Sequence, residues 1–380
     1  MTDDRAYYDV AIAGGGLAGL ALSIQLARQG YSVILYEKEQ YPFHKVCGEY
    51  ISLESWDFLI DLGVDLDGMK VPVITELEVS APNGRSLKHT LPLGGFGISR
   101  YCLDQALAKL AVKAGVVLKE NTKLNDILFD GNEFMLEAAS SGSRARIACA
   151  AYGKRSNIDI KWKRKFSSAS KNKLNNYIGV KYHIKGTFPA NTIALHNFKN
   201  GYCGIVKIED DRYNLCYLTT ADNLQKANGD IRLMEQTILS QNPHLREIFA
   251  DNQFTSASPL TISQISFGKK SQVEDHVLML GDAAGMITPL CGNGMSMALH
   301  GSKIAAAQIR NFLQGNITRE KMEKRYVFQW QRQFAGRLRT GRRIQRLFGK
   351  NRLTALFLKL VKPFPGLVDW LVRKTHGKPF

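Results

Sequence analysis

An apolar strand that must turn at once into a helix leaves few folds open, and this chain begins with one. Tyr8-Asp9-Val10-Ala11-Ile12-Ala13 runs into Gly14-Gly15-Gly16-Leu17-Ala18-Gly19, and Glu37 follows 18 residues after the last glycine. Gly14 has no side chain to obstruct a sharp turn. Gly16 lets the backbone approach a ligand closely, and Gly19 lets the next helix lie tight on the strand. That helix is predicted from Leu17 to Gln29, with Leu20, Ile24 and Ala27 on one face and Gly30 as its stop. Its unpaired N–H groups, from Leu17 and Ala18 onward, and the positive end of its dipole suit a pyrophosphate. Tyr31–Tyr36 reads as a second strand ended by Glu37, with Lys38 beside it. A carboxylate there accepts hydrogen bonds from a ribose diol and repels a 2′-phosphate. The result is an α/β fold with a Rossmann-like domain on a parallel sheet.

A second stretch lies far downstream. Val277-Leu278-Met279-Leu280 runs into Gly281-Asp282-Ala283-Ala284-Gly285, followed by Pro289, Gly292, Asn293 and Gly294. A helix of small and apolar residues is then predicted from Met295 to Ile309. An isolated Gly-Asp is an ordinary turn. Paired with the N-terminal turn, it delivers one aspartate to the far end of the same cofactor, where Asp282 would hydrogen-bond a ribityl chain. The Gly292–Met295 turn would face the edge of a flavin ring. Together the two stretches point to FAD rather than to NAD alone.

On these residues the chain resembles the FAD-dependent aromatic hydroxylase and geranylgeranyl reductase superfamily. Gly97-Ile98-Ser99-Arg100 with Leu103-Asp104-Gln105-Ala106-Leu107 is similar to the segment whose arginine contacts FAD in these enzymes. Lys45-Val46-Cys47-Gly48-Glu49 resembles the loop before the flavin ring in the geranylgeranyl reductase-like branch. Gly285 agrees with that branch, since many aromatic hydroxylases carry a histidine after the paired alanines. Gly201-Tyr202-Cys203-Gly204 with Asn214-Leu215 is similar to the strand pair of its substrate domain. The resemblance runs to about Ile309. It implies cofactor contacts from Gly14, Gly16, Leu17, Ala18, Gly19, Glu37, Lys38, Lys45, Cys47, Gly48, Arg100, Gly281, Asp282, Gly292, Asn293, Gly294 and Met295, and no metal.

Two departures narrow what the resemblance implies. Aromatic hydroxylases usually have an Ala-Asp-Gly segment in the third strand, whose aspartate helps bind FAD and a visiting NADPH. Here the stretch is Cys149-Ala150-Ala151-Tyr152-Gly153, with Tyr152 in the aspartate's place, so NAD(P)H is a candidate electron donor only. The halogenase motif of two tryptophans followed by Ile-Pro is absent from the chain, so halogenation is not expected.

With 380 residues the chain can bury a large core and form two domains. No apolar run reaches the ~18 residues of a spanning helix. Thr2-Asp3-Asp4 is acidic where a signal peptide is basic. Cys47, Cys102, Cys149, Cys203, Cys216 and Cys291 show no metal-like spacing, and several lie in apolar strands, which favours reduced core thiols. A cytoplasmic location, with a peripheral membrane role for the tail, is the expectation.

The charge is uneven. Of the net +17, residues from Arg319 onward hold +14, with 17 Lys plus Arg against 3 acids. Apolar stripes run through the same region: Ile344, Leu347 and Phe348; Leu353, Leu356, Phe357, Leu360 and Val361; and, after Pro363 and Pro365, Leu367, Trp370 and Leu371. Basic faces with apolar stripes suit an anionic membrane surface. A helical cap packed on the body is the alternative. No nucleic-acid-binding module is recognisable.

The FAD-binding domain is expected to be discontinuous, with residues 1–75, 97–155 and 271–310. A strand-rich substrate domain takes 76–96 and 156–270, and 311–380 form a basic helical C-terminal region. Ile74–Leu91 reads as a hairpin turning at Asn83-Gly84. Asn175–His183, Tyr202–Ile208 and Arg212–Leu218 alternate like strands, and 153–174 is a basic connector containing Lys154, Arg155, Lys171 and Lys173.

Cys47 and Glu49 are the polar candidates for catalysis, Cys47 as a proton donor or redox-active thiol. The blander readings are a small residue packed in a turn and a helix cap. The expected function is that of an FAD-dependent oxidoreductase passing hydride through flavin N5 to a hydrophobic isoprenoid or lipid-like molecule. The alternative is a monooxygenase acting on a phenolic or polyketide-type ring, and after it a non-enzymatic flavoprotein that binds a membrane or partner.

Overall fold

The computed structural model describes residues 6–139, 142–167, 177–346, 348–349 and 351–380, and nothing of the side chains of residues 351 and 352. Thr2-Asp3-Asp4, Lys171, Lys173, the start of the expected Asn175–His183 strand and Leu347 lie outside the described residues.

The first sheet is built on Tyr7–Ala13. It pairs in parallel with Val33–Tyr36 on one side and Gly142–Ala150 on the other, with Ile12 opposite both Leu35 and Cys149. Val117–Lys119 and Val277–Met279 extend it in parallel at either side. Val273–Glu274 closes one edge antiparallel, and the Leu124–Phe129/Phe134–Ala138 hairpin joins through Gly142–Ala150. Both faces are covered, so the strands read as continuous apolar runs rather than alternating ones. Val10, Ala11, Ile12, Leu278, Met279 and Leu280 are all buried. The expected helix runs over Leu17–Ala27, and Gly30 follows with φ +86°. It lies beside the Gly294–Leu313 helix, which begins one residue earlier and ends later than its apolar pattern predicted.

The second sheet runs in the order Gln253–Phe254, Tyr177–Lys185, Tyr213–Thr220, Gly201–Lys207, Thr192–Phe198, Val73–Ser80, Ser86–Gly97, Tyr50–Ser52. Leu260–Ile265 adds to the free side of Tyr177–Lys185. The expected hairpin is present, with Ala81 and Arg85 bonded across the Asn83-Gly84 turn.

Two pieces change sides relative to the sequence-based boundaries. Tyr50–Ser52 lies within 1–75, yet it pairs with Gly95–Gly97 of the second sheet, a partner that three residues of strand do not advertise. Asn157–Lys161 lies in the stretch given to the substrate domain, yet Ile158 is buried in the core of the first sheet. The Ser156 capping box starts that helix and holds it there.

Beyond Leu313 the Arg319–Gln345 helix buries Met322, Tyr326, Trp330, Phe334 and Leu338 against the first core. Tyr326 donates its hydroxyl to Met279 O at 2.5 Å. Trp330 accounts for Gly285: a Cβ there would come within 2.6 Å of the indole ring. Two further helices follow, Asn351–Val361 and Pro365–Thr375. No helix among the described residues is long and apolar enough to cross a membrane.

Candidate functional site

The glycine turn takes the shape its sequence demands. Gly14 has φ +108°, and a Cβ on it would lie 2.6 Å from Ala151 O, where the neighbouring parallel strand ends. At Gly19 a Cβ would overlap Gly14 O, so only glycine lets the helix sit this close to the strand. Gly16 differs. Its added Cβ would make only an ordinary contact, with Arg100 Nη2 at 3.7 Å, so the backbone there is uncrowded. Leu17 and Ala18 begin the helix immediately after it.

Glu37 stands at the end of its strand, 6% exposed, with Oε2 accepting the Gly15 N–H at 2.9 Å and Oε1 the Glu39 N–H at 3.1 Å. The turn and the acid that sequence spacing joined are therefore in direct contact. Lys38 is not part of this arrangement: it is exposed and pairs with Glu39 at 3.2 Å.

The Gly281–Asp282 turn comes to the same place. Gly281 has φ +54°, and a Cβ on it would lie 3.3 Å from the Ala18 methyl. The Asp282 carboxylate has no hydrogen-bond or ion-pair partner among the described residues. Burial pushes its carboxyl up, and attraction to Lys270, Arg100 and Lys154 draws it partly back. Burial likewise brings Lys270 and Lys154 down to about 8 each. Gly292 has φ +62° and lies against the Tyr50 ring. Asn293 Nδ2 donates to Thr375 O at 2.9 Å, while Asn293 Oδ1 and Ser296 Oγ are buried without partners among the described residues.

These features fit FAD. The uncrowded turn at Gly16, with the N-terminus of the Leu17–Ala27 helix behind it, suits the pyrophosphate. Glu37 suits the ribose diol, and unpartnered Asp282 suits a ribityl hydroxyl. Gly292, Asn293, Gly294 and Met295 lead into the second helix N-terminus, whose N–H groups would suit a flavin ring edge.

Arg100 and the 45–49 loop form one unit. Arg100 Nε and Nη2 each donate to Asp104 at 2.8 Å, and Lys45 Nζ adds to Asp104 at 2.9 Å. Burial opposes charge on Asp104, but Arg100 and Lys45 outweigh it and hold the carboxyl below its usual range. Cys47 Sγ lies 3.6 Å from Met295 Sδ, so the loop touches the start of the Gly294–Leu313 helix. Desolvation raises the Cys47 thiol, with the Arg100 charge pulling the other way. Asn214 Nδ2 ties the loop to the second sheet by donating to Gly48 O at 2.9 Å and Cys47 O at 3.2 Å.

Glu49, a catalytic candidate from its motif, is enclosed by partners. It is fully buried, with φ +54°. Its carboxylate accepts the Arg100 backbone N–H at 2.8 Å, pairs with Lys181 Nζ, and lies 2.7 Å from His183 Nε2. It anchors the loop, and it caps the Arg100–Lys113 helix rather than the one that follows it in sequence. Lys181 and His183 were not found from sequence, because they alternate on a strand with no motif connecting it to the loop. His44 extends the group, stacking on Tyr101 at 4.6 Å and meeting His183 edge-on at 5.3 Å.

Tyr152, in the place of the hydroxylase aspartate, turns away from the turn and donates to Asp159 Oδ1 at 2.7 Å. Arg164 Nη1 holds the same carboxylate at 2.8 Å. The position supports the scaffold.

A protein-family profile described as FAD binding domain matches residues 7–327. Among curated proteins, the chain is 28% identical over 364 residues to conditioned medium factor receptor 1 of Dictyostelium discoideum, covering 87% of this chain and 69% of that protein. It is 24% identical over 325 residues to a 1H-pyrrole-2-carbonyl-(peptidyl-carrier protein) brominase of Pseudoalteromonas luteoviolacea, covering 81% and 79%. It is 24% identical over 362 residues to digeranylgeranylglycerophospholipid reductase 2 of Methanopyrus kandleri, covering 90% and 87%. The solved structure of a flavin-dependent brominase (Bmp2) shares the fold with TM-score 0.78 and 21% identity, over 97% of this chain and 93% of that one.

Proposed function

This chain belongs to the FAD binding domain family and is an FAD-dependent oxidoreductase, and from that premise we propose that it reduces a carbon–carbon double bond in a hydrophobic, isoprenoid or lipid-like molecule. The relatives include a digeranylgeranylglycerophospholipid reductase matched over 90% of this chain, which lends the substrate class its support. The observation that carries the reading is the Cys47 loop. Its thiol is half-buried beside Met295 and raised by desolvation, so it keeps its proton near neutral pH.

Bound FAD, when reduced, supplies hydride. Saturating a double bond then needs one proton, and Cys47 Sγ is the protonated group that the loop presents. Lys181, His183 and the Arg100 N–H fix Glu49, and Glu49 with Asn214 fixes the loop, so the thiol is held in position. Glu49 is thus a positioning residue and Cys47 the proposed proton donor.

The competing reading is oxygen transfer to a phenolic or polyketide-type ring, with halogenation as its variant. The brominase relative favours it, and the absent two-tryptophan motif argues only against halogenation. The test begins with photochemical reduction of the flavin-loaded protein without oxygen. Oxidation of the flavin by a geranylgeranyl lipid, with a product heavier by a pair of hydrogens, supports the reductase. Rapid oxygen uptake that needs a phenol, giving a hydroxylated product, or a brominated one when bromide is present, overturns it.

A further inference from the structure

The two helices after residue 350 each turn one side inward and leave large apolar side chains outside. On Asn351–Val361, Thr354, Leu358 and Val361 turn inward at 0, 6 and 4% exposure. Leu353, Leu356 and Leu360 stand out at 45, 53 and 60%. Their spacing of three and then four residues puts them on one side of the helix. The stripe continues through Phe364 in the connecting turn to Leu367 and Trp370 on Pro365–Thr375, at 61, 42 and 53%. No described residue covers it, and apolar patches of this extent on a soluble surface mark contact sites.

The charge beside the stripe is of one sign. Lys359, Lys362, Arg373 and Lys374 are exposed around it. The one acid in residues 351–380 is Asp369, and it is engaged by His89 Nε2 at 2.7 Å. Lys374 Nζ stands 5.4 Å over the Trp370 ring, so cation and aromatic share one edge. Each helix has 11 residues, a length of about 16 Å against the ~30 Å of a hydrocarbon core. Such helices lie in an interface and do not span it. A second copy is a poor occupant, because each copy carries a net charge of +17 and presents this same basic face.

We propose that this face docks on an anionic lipid surface, with Leu353, Leu356, Leu360, Phe364, Leu367 and Trp370 entering the interface while Lys359, Lys362, Arg373 and Lys374 meet the headgroups. The apolar side chains give the attachment a salt-resistant part, and the basic ones give a part that salt screens. The inference is independent of the reaction proposed above, since attachment can be read without turnover.

The test uses the full-length, flavin-loaded protein in flotation with vesicles of phosphatidylcholine alone or mixed with phosphatidylglycerol. Flotation with the mixed vesicles, a blue shift of Trp370 emission absent in Trp370→Phe, and about tenfold weaker binding in Leu356→Glu/Leu360→Glu are expected. Both leucines face solvent, so flavin content should be unchanged. If that variant loses flavin, Lys359→Ala/Lys374→Ala reads the headgroup half instead. Absence of flotation, equal flotation with phosphatidylcholine alone, or unchanged binding in the variants overturns the proposal. So does light scattering that shows a dimer in the wild type and a monomer in the leucine variant, which would make a second copy the occupant.

Discussion

Glu49 Oε1 accepts the backbone N–H of Arg100 at 2.8 Å, while the Arg100 guanidinium forks onto Asp104. Arg100 thus uses its main chain to hold the loop before the flavin site and its side chain to border the glycine turn. Displacing either residue disturbs both. The flavin site is therefore supported from the second sheet as well as from the first, through Lys181, His183 and Asn214.

The first prediction separates binding from folding at the glycine turn. Gly16→Val puts its side chain at an uncrowded position, in the pyrophosphate's place, so the protein should fold but lose its flavin. Gly19→Val drives a side chain into Gly14 O and should prevent folding. Flavin absorbance per protein and far-UV circular dichroism read the two. Full flavin content in Gly16→Val would end the cofactor assignment at this turn.

A second comparison concerns Asp282 and Cys47. Asp282→Ala removes a carboxylate that no described residue hydrogen-bonds, and should weaken FAD by ~1.5–3 kcal/mol, the worth of a charge-assisted hydrogen bond. Cys47→Ala should leave FAD affinity nearly unchanged and lower the rate of substrate-driven flavin oxidation, with Cys47→Ser recovering part of it. Flavin titration and stopped-flow absorbance give the two readouts. An unchanged rate in Cys47→Ala makes the thiol a packing group.

Lys181→Met tests the anchor. It leaves Glu49 buried with one cation fewer, and removing one member of a buried pair costs ~3–5 kcal/mol. Lys38→Ala, which breaks an exposed pair with Glu39, should cost about 0–1 kcal/mol. Denaturant melts compare them. Equal losses would deny the Glu49 cluster its structural part.

The acid limb of stability should carry a signature of His196. Its Nδ1 lies 2.9 Å from Ser80 Oγ, its ring stacks on His244 at 4.9 Å, and its Nε2 is buried without a partner among the described residues. Burial, then repulsion from His244, pushes it down from 6.5 to about 3. Between those values the unfolded chain binds the proton and the folded protein does not, so stability rises with pH across that window. It is lost as pH falls from about 6.5 towards 3, by a few kcal/mol in order of magnitude. His196→Gln should flatten that slope in urea melts taken across the range, and an unaltered slope refutes the assignment.

What could be read from the sequence was local. The glycine turn, Glu37 and the Gly281–Asp282 strand end are short segments in which spacing alone sets the chemistry, and each stands where it was expected. The anchoring contacts of Glu49 were not legible because Lys181 and His183 lie more than a hundred residues away in the chain, where they read as ordinary members of a strand. The strand at Tyr50–Ser52 was missed because it exists only through pairing with Gly95–Gly97. Gly285 could be counted as a family mark but not explained, since its cause is Trp330. The exclusion of halogenation rested on one missing motif, and a brominase is nevertheless among the relatives.

Gly281 packs on Ala18, and well over half of the chain lies between them. The cofactor cleft is therefore the mouth of a very long loop, closed late and against a large entropic cost. While the chain is being made, the glycine turn and its first helix emerge early and must wait, half of a clasp, for residues near 281 to arrive. FAD held across that seam would favour only the closed arrangement, so free FAD would stabilise the folded protein by mass action. Limited flavin supply should then show as a lower yield of folded protein before it shows as a shortage of activity per molecule.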